Sequence, residues 1–282
     1  MKMRIFSLAL GVGFLILFSV SAIFVYRYSR SKPESSVPES EGQNYVSADS
    51  AVFLLVFEDE GEYGPFSLVA LDVEHGRIPV FSFSGKTEMN YSGISLSAAE
   101  LFSMTSEKVF AGAVEKELNI DIDGYFVWDK ESAEALISKS GGFDYVLPES
   151  LVYTDGNRYI NLSAGVQSLT GKKFTDIVTF PKFTETERCD TLSRMLAEFL
   201  RRRLRRFLPE NGNLSSVLYR VAKSDINALE REEYISAINE ILSTGKVSSS
   251  HVTCDVLKDT STGLFSFAEE TLSRVEKYFR FD

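Results

Sequence analysis

Histidine and cysteine are scarce in this sequence. There are two of each among 282 residues, and nothing in their spacing gathers the three or four ligands that a zinc or haem site needs. His75 stands in "VEHGR", which has the chemistry of a hairpin turn. Cys189 and Cys254 leave two readings open: a disulfide in an oxidising compartment, or two buried, inert thiols. A complete phosphate-binding loop is missing as well. "SFSGKTEM" (Ser82–Met89) contains Gly-Lys-Thr, but Val80 stands where the first loop glycine belongs, and turn formers rather than a helix follow Thr87. Without that glycine and that helix, backbone amides cannot curl around a nucleotide's phosphates. Basic charge is also short. All 40 acidic residues but only 25 of the 30 basic ones follow residue 32, a formal −15 over that region. Such a balance argues against nucleic acid as a partner.

Near the N-terminus the pattern is the opposite. Ile5 to Tyr26 contains no charge over 22 residues, and about 20 apolar residues suffice for a helix to cross a bilayer core. "SVSA" is a poor cleavage site, so an uncleaved transmembrane anchor is expected over 5–26. Two basic residues precede it and three follow closely, a near tie that does not set its orientation. A linker is expected over 27–48. Its stretch "PESSVPESEGQNYVSA" is too rich in Ser, Glu, Pro and Gly to pack. Residues 49–282 are long enough for one large domain.

Within that domain "AVFLLVF" (Ala51–Phe57) is a continuous apolar run, as in a strand covered on both faces. "PFSLVALDV", the turn "EHG" and "RIPVFSF" read as strand, turn and strand. Ser97 and Glu100 form a capping box before a helical pattern that includes Leu101, Met104, Val109, Ala113 and Val114. "DGYFVWD", "KESAEALISKS" and "FDYVLP" read as strand, helix and strand. Thr184 and Glu187 cap a long helix that ends before Pro209. Leu192, Met195, Leu196, Phe199 and Leu200 share one of its faces. Arg201, Arg202, Arg205 and Arg206 lie on another, which reads as a solvated face or a contact for anions or lipid headgroups. A helix over Ala228–Leu242, a strand in "HVTCDVL" and an amphipathic "FAEETLSRVEKYF" complete the chain. Strands alternating with helices indicate an α/β or α+β sandwich around a central mixed sheet.

The order of these pieces resembles the LytR-CpsA-Psr (LCP) family of bacterial envelope proteins. "SLVALDVEHGRIPVFSFSGKT" is similar to the family's strand–turn–strand that ends in Ser-Ile-Pro-Arg-Asp-Thr. "AVEKELNIDIDGYFVWDKESAEALISKSGGFDYVLPESL" resembles its segment leading to Gly-Gly-Val-x-Val-x-Val-Pro. "INLSAGVQSLTGKKFTDIV" resembles its Gly-x-x-x-Leu-x-Gly-x-x-Ala-Leu-x-Tyr-x-Arg segment, and "TETERC" its Arg-x-x-Arg-Gln before a long helix. The match is strongest over 51–208. The resemblance implies an LCP-like α/β domain outside the cytoplasmic membrane, residues 1–4 inside, and a role in envelope or cell-wall assembly. Family members move a glycan from a polyprenyl-pyrophosphate carrier to an envelope polymer. They hold the pyrophosphate with arginines and magnesium with carboxylates, and they sheathe the prenyl tail in an apolar cavity.

Carried across position by position, those functional residues differ here. The family's Arg-Ser-Asp-Thr falls on "EYGP", which puts Glu62 in place of its arginine and Gly64 in place of its aspartate. Its Pro-Arg-Asp falls on "SGK", which gives Gly85 and Lys86. Its paired arginines become Thr179 and Pro181. The first arginine of the last motif becomes Glu185, and only the second, Arg188, is retained. Lys86 and Arg188 are therefore the candidate phosphate contacts; a solvated helix-start arginine is the alternative reading of Arg188. The expectation is a catalytically degenerate LCP-like protein that needs no cofactor and either binds a polyprenyl-phosphate lipid or scaffolds envelope proteins. Two alternatives stand beside it: a working magnesium-dependent glycopolymer phosphotransferase, and a purely structural interaction domain. The 22 phenylalanines suit either a lipid tunnel or a dense core.

Overall fold

The computed structural model of the chain describes residues 49–245, 247–258 and 262–281. The expected anchor at 5–26 and linker at 27–48 lie outside the described residues. Among the described residues no helix is long and apolar enough to cross a membrane.

The chain begins with a meander of three antiparallel strands: β1 (Ala51–Asp59), β2 (Glu62–Leu71) and β3 (Arg77–Phe83). The turn between β2 and β3 carries His75, and buried Asp72 accepts from the His75 backbone N–H at 3.1 Å. A short hairpin follows, β4 (Glu88–Tyr91) and β5 (Ile94–Ser97). It stands where the sequence offers only turn formers after Thr87. Ser92 and Gly93 both adopt positive φ at its tip, the backbone that two-residue hairpin loops require. A strand and not a helix therefore follows Gly85-Lys86-Thr87.

Next come the helices α1 (Ala98–Met104) and α2 (Glu107–Leu118), then β6 (Gly124–Asp129), α3 (Lys130–Lys139), β7 (Phe143–Leu147), the hairpin β8 (Leu151–Thr154) with β9 (Tyr159–Leu162), and β10 (Gly165–Leu169). The chain continues with α4 (Gly171–Val178), the long α5 (Glu185–Arg203), a 3-10 turn at Leu204–Phe207, α6 (Leu214–Val221) and the short β11 (Lys223–Ser224). It closes with α7 (Ala228–Ser243), β12 (Ser248–Val252), β13 (Val256–Lys258), β14 (Phe265–Phe267) and α8 (Glu269–Phe279).

Six strands form the central sheet in the order β11-β6-β1-β2-β3-β12. It is mixed: β1 runs parallel to β6 and β12 parallel to β3, while the other pairs are antiparallel. Alternate residues of β1 feed different cores. Val52, Leu54 and Val56 pack with α1, α2 and α8; Phe53 and Phe57 pack with α3, α4, α5 and α7. A strand with helices on both faces needs apolar residues at every position, which explains the unbroken run in β1. The first face is sealed by rings. Phe66 lies 5.3 Å from Phe83 and 4.8 Å from Phe110, and Phe102 meets Phe110 edge-on at 5.2 Å. Full burial of each ring contributes roughly 1.5–3 kcal/mol over exposure, so this cluster outweighs any single polar contact at the surface.

Three local readings differ from the structure. The helical pattern after Ser97 is broken at Thr105, because Ser106 caps a second helix. Met104 and Val109 are consequently exposed, at 71% and 38%, and Phe102, Phe110 and Leu118 fill the core instead. "HVTCDVL" is not one strand: β12 ends at Val252, and β13 begins at Val256. The arginine stripe is neither uniformly solvated nor free. Glu198 accepts from both Arg201 and Arg202, while Arg206 donates to Ser140 O at 2.9 Å. Arg203 donates to Gly142 O at 2.7 Å. These last two bonds tie the end of α5 and the 3-10 turn after it to the loop after α3.

Candidate functional site

A cleft of about 540 Å³ opens at the carboxyl ends of β1 and β3, the end of an open α/β sheet where ligands usually sit. Its walls are the β1–β2 hairpin, the turn after β3, the N-terminus of α1, the segment after α4 and the first turn of α5. All eight positions drawn from the family motifs line it: Glu62, Gly64, Gly85, Lys86, Thr179, Pro181, Glu185 and Arg188. The fold thus gathers residues that lie up to 126 positions apart in the chain.

The charges in this cleft oppose an anion. Asp59, Glu62, Glu100 and Glu185 face Lys86 and Arg188, four carboxylates against two cations. The two cations are engaged. Lys86 Nζ lies 3.2 Å from Glu185 Oε1, and Arg188 Nη1 donates to Val178 O at 2.6 Å. Ser84 Oγ donates to the other Glu185 oxygen at 2.8 Å. Burial pushes the Glu185 carboxyl up, but the Ser84 hydroxyl, the Lys86 ammonium and the Arg188 charge together outweigh it and hold the group below its ordinary value. Glu185 is therefore a carboxylate at the place where the resemblance puts a guanidinium.

Helix N-termini are ready anion sites only while their amides are free. Here both at the cleft are capped from within. Glu100 Oε2 accepts from Ser97 N at 2.9 Å, and Ser97 Oγ accepts from Glu100 N. Glu187 Oε2 accepts from Thr184 N at 2.8 Å in the same arrangement on α5. The hydrogen bonds to Ser97 hold the Glu100 carboxyl below its ordinary value. At α1 the next amides are taken up too: Ala98 N donates to Thr87 O at 2.7 Å and Ala99 N to Gly85 O at 2.9 Å.

Two glycines make the difference from the family motifs a backbone matter. Gly64 has φ +108°, and a Cβ there would stand 3.1 Å from Gly85 Cα. A Cβ on Gly85 would meet the Tyr63 carbonyl oxygen at 2.7 Å. The start of β2 and the turn after β3 thus abut, and no side chain fits at position 85 without moving main chain.

Magnesium is the ion that the resemblance implies. Its carboxylate positions carry Gly64, which offers no donor, and Lys86, whose ammonium repels a cation. The residues present do not fit the ion. Among the described residues no group of three or more His, Cys, Asp or Glu side chains is placed to hold a metal.

Sequence reasoning missed several members of the site. Asp59 and Ser103 line the cleft without any motif to mark them, and Tyr63 lines it from within "EYGP" without having been singled out. Arg158 stands behind it and donates to Thr179 O at 3.0 Å. It also lies 3.8 Å from Asp176 and so anchors the segment that carries Thr179. Its position in the turn "TDGNRY" gives no hint of that partner 21 residues away. Cys189 and Cys254 are free and buried and line one small void behind Ser84 and Glu185. Burial pushes both thiols up, Cys254 to about 12, which makes them poor nucleophiles.

The second cavity lies on the other side of the fold's chemistry. It sits between the sheet and α3, α5, α6 and α7, with Phe53, Val69, Phe126, Trp128, Phe199 and Ile238 in its lining. It is apolar, and its volume is about 110 Å³. A cavity of about 150 Å³ holds one benzene, so this one is far too small for a polyprenyl chain.

No protein-family model matches this sequence, and no curated protein does. Solved structures do match in fold. A protein of Eubacterium siraeum described as a transcription regulator superposes with a TM-score of 0.72 at 12% identity, covering 86% of this chain and 98% of its own. Bacillus subtilis TagV gives 0.65 at 17% identity, over 82% and 96% of the two chains. TagT bound to LIIa-WTA gives 0.65 at 16% identity, over 88% and 96%. The chain therefore has an LCP-like fold: an α/β sandwich around a central mixed sheet.

Proposed function

We propose that this protein serves cell-envelope assembly as a catalytically degenerate LCP-like domain that scaffolds other envelope components. Residues 5–26 anchor it in the cytoplasmic membrane, with the domain on the extracytoplasmic side. The observation that carries this reading is the cleft. The positions that the family resemblance assigns to pyrophosphate and magnesium converge there, yet the cleft presents more carboxylate than cation, and both cations are already paired, Lys86 with Glu185 and Arg188 with the Val178 carbonyl. A pyrophosphate needs planar, bidentate donors to neutralise the charge that develops during phosphoryl transfer. A single ammonium paired with a glutamate does not replace them. The likeness to TagT, a protein solved with LIIa-WTA, supports the envelope context and carries no residue role across.

The small apolar cavity favours scaffolding over lipid carriage. Tail burial contributes about 0.8 kcal/mol per methylene and needs no charge, but it needs space that a 110 Å³ void does not supply. Calorimetric titration of the full chain with farnesol and with farnesyl pyrophosphate tests the reading. The expected result is that the pyrophosphate adds no affinity. A gain of about tenfold or more from the pyrophosphate, equivalent to about 1.4 kcal/mol, would support the phosphotransferase instead.

A further inference from the structure

Cys189 lies in the second turn of α5, and Cys254 lies in the link between β12 and β13. They are 2% and 4% exposed. The packing of β12 along α5 brings them together. Ser249 Oγ donates to Ala197 O at 2.6 Å, and His251 Nε2 lies 3.9 Å from Asp190 Oδ1. The chain thus descends α5 towards its N-terminus as it leaves the sheet. Cys254 follows His251 by three residues, and Cys189 precedes Asp190 by one.

Both sides of this contact are held in place. The Asp255 N–H donates to Thr271 Oγ1, and the Asp255 carbonyl accepts from the same hydroxyl, both at 2.9 Å. These bonds pin the residue after Cys254 to the first turn of α8. The start of α5 is fixed by its capping box at Thr184. The void that both thiols line is about 10 Å³, at the lower limit for a single water. Burial pushes the Cys189 thiol up first, and Cys254 beside it adds to the rise.

We propose that Cys189 and Cys254 form a disulfide site, closed as the chain folds in an oxidising medium. Burial makes both thiols poor nucleophiles once the fold is complete, so the reaction belongs to the stage at which water still reaches them. The Cys189 thiolate attacks one sulfur of a donor disulfide and expels a donor thiolate. The Cys254 thiolate then attacks Cys189 Sγ and expels the second donor thiolate. Two protein thiols give up two protons and two electrons, and the donor disulfide becomes two thiols. The bond ties the part of α5 that carries Glu185 and Arg188 to the segment leaving the sheet edge. It closes a loop across 65 positions, and a long loop is where a cross-link most restricts the unfolded chain. In the cell the step rests on the extracytoplasmic placement in the proposed function; in a refolding buffer the donor is supplied and that placement plays no part.

The full chain is unfolded, reduced and refolded in a glutathione redox buffer, with a parallel sample refolded in dithiothreitol. Free thiols are then counted by alkylation in denaturant. None is expected after glutathione and two after dithiothreitol, and a protease digest of the oxidised chain should contain one cross-linked pair of peptides carrying Cys189 and Cys254. Intact mass separates the internal bond from a glutathione adduct. The oxidised chain should melt about 5–15 °C above the reduced one. Cys189→Ala and Cys254→Ala should each abolish that difference between the two buffers. Should a variant fail to fold, the thiol count and digest of the parent decide alone. The proposal is overturned if both thiols of the parent alkylate after glutathione, if they carry glutathione or join two chains, if the internal bond fails to raise the melting temperature, or if either variant keeps the parent's difference.

Discussion

The polar cleft and the apolar cavity differ in what each has and lacks. The cleft has room, about 540 Å³, but its charges oppose a pyrophosphate. The cavity has the apolar lining that suits a prenyl tail but only about 110 Å³ of space. An enzyme of the kind that the family resemblance implies needs both properties at once, one for the head of its substrate and one for the tail. Here they are separated. The proposed reading of an LCP-like fold without family-type catalysis rests on that separation.

That contrast can be broken most severely from the cavity side. Phe199 is 2% exposed and lines the cavity wall. Phe199→Ala should cost about 3–5 kcal/mol in urea unfolding, and the enlarged void should take up benzene where the parent does not. A loss near zero would mean that the cavity already opens in solution. Gly85→Arg attacks the cleft side. It restores a guanidinium to its family position but drives a Cβ against the Tyr63 carbonyl. A loss of about 1–3 kcal/mol from overpacking is expected, with no pyrophosphate binding gained. Calorimetry with inorganic pyrophosphate checks the second half.

The Glu185 carboxylate gives a milder test with a defined pH sign. Its folded pKa lies below the ordinary value of 4.5. Its contribution to stability is thus fully present above that value and is lost as pH falls through the folded pKa. Glu185→Gln should flatten the acid limb of the stability profile and cost about 1–2 kcal/mol at neutral pH, where the bonds to Ser84 and Lys86 are made. An unchanged acid limb would show that this carboxylate is not held as described. The smallest effect is expected from Glu62→Arg. Glu62 is exposed at the cleft mouth, so stability should move by no more than about 0.5 kcal/mol. Weak pyrophosphate binding that appears with this change would identify the excess of carboxylate, rather than the shape of the cleft, as what excludes the anion.

Much of this was legible in the sequence where the signal is local. The apolar run of β1, the turn at Glu74–Gly76 and the capping boxes of Ser97 and Thr184 each report their own neighbourhood. The order of the family-like segments was enough to name eight residues that the fold brings into one cleft. What stayed hidden depends on pairing across the chain. Gly64 abuts Gly85 only because β2 and β3 are neighbours. β12 joins β3 in parallel across about 170 residues of chain. Met104 and Val109 fit a helical period yet face solvent, because the break at Thr105 rotates the two helices independently. The phenylalanines could not say whether they line a tunnel. Ring-to-ring packing on one face and a small void on the other follow from how the layers settle, not from composition.

The most direct test of the central claim is turnover itself. The full chain, purified in detergent, is incubated with a polyprenyl-pyrophosphate glycan, an envelope-polymer acceptor and magnesium, and release of lipid phosphate is followed over many enzyme equivalents. The expected result is no release above the rate without protein, with or without a chelator. Multiple turnover that disappears on chelation or in Arg188→Ala would contradict the account and restore a working phosphotransferase to this cleft.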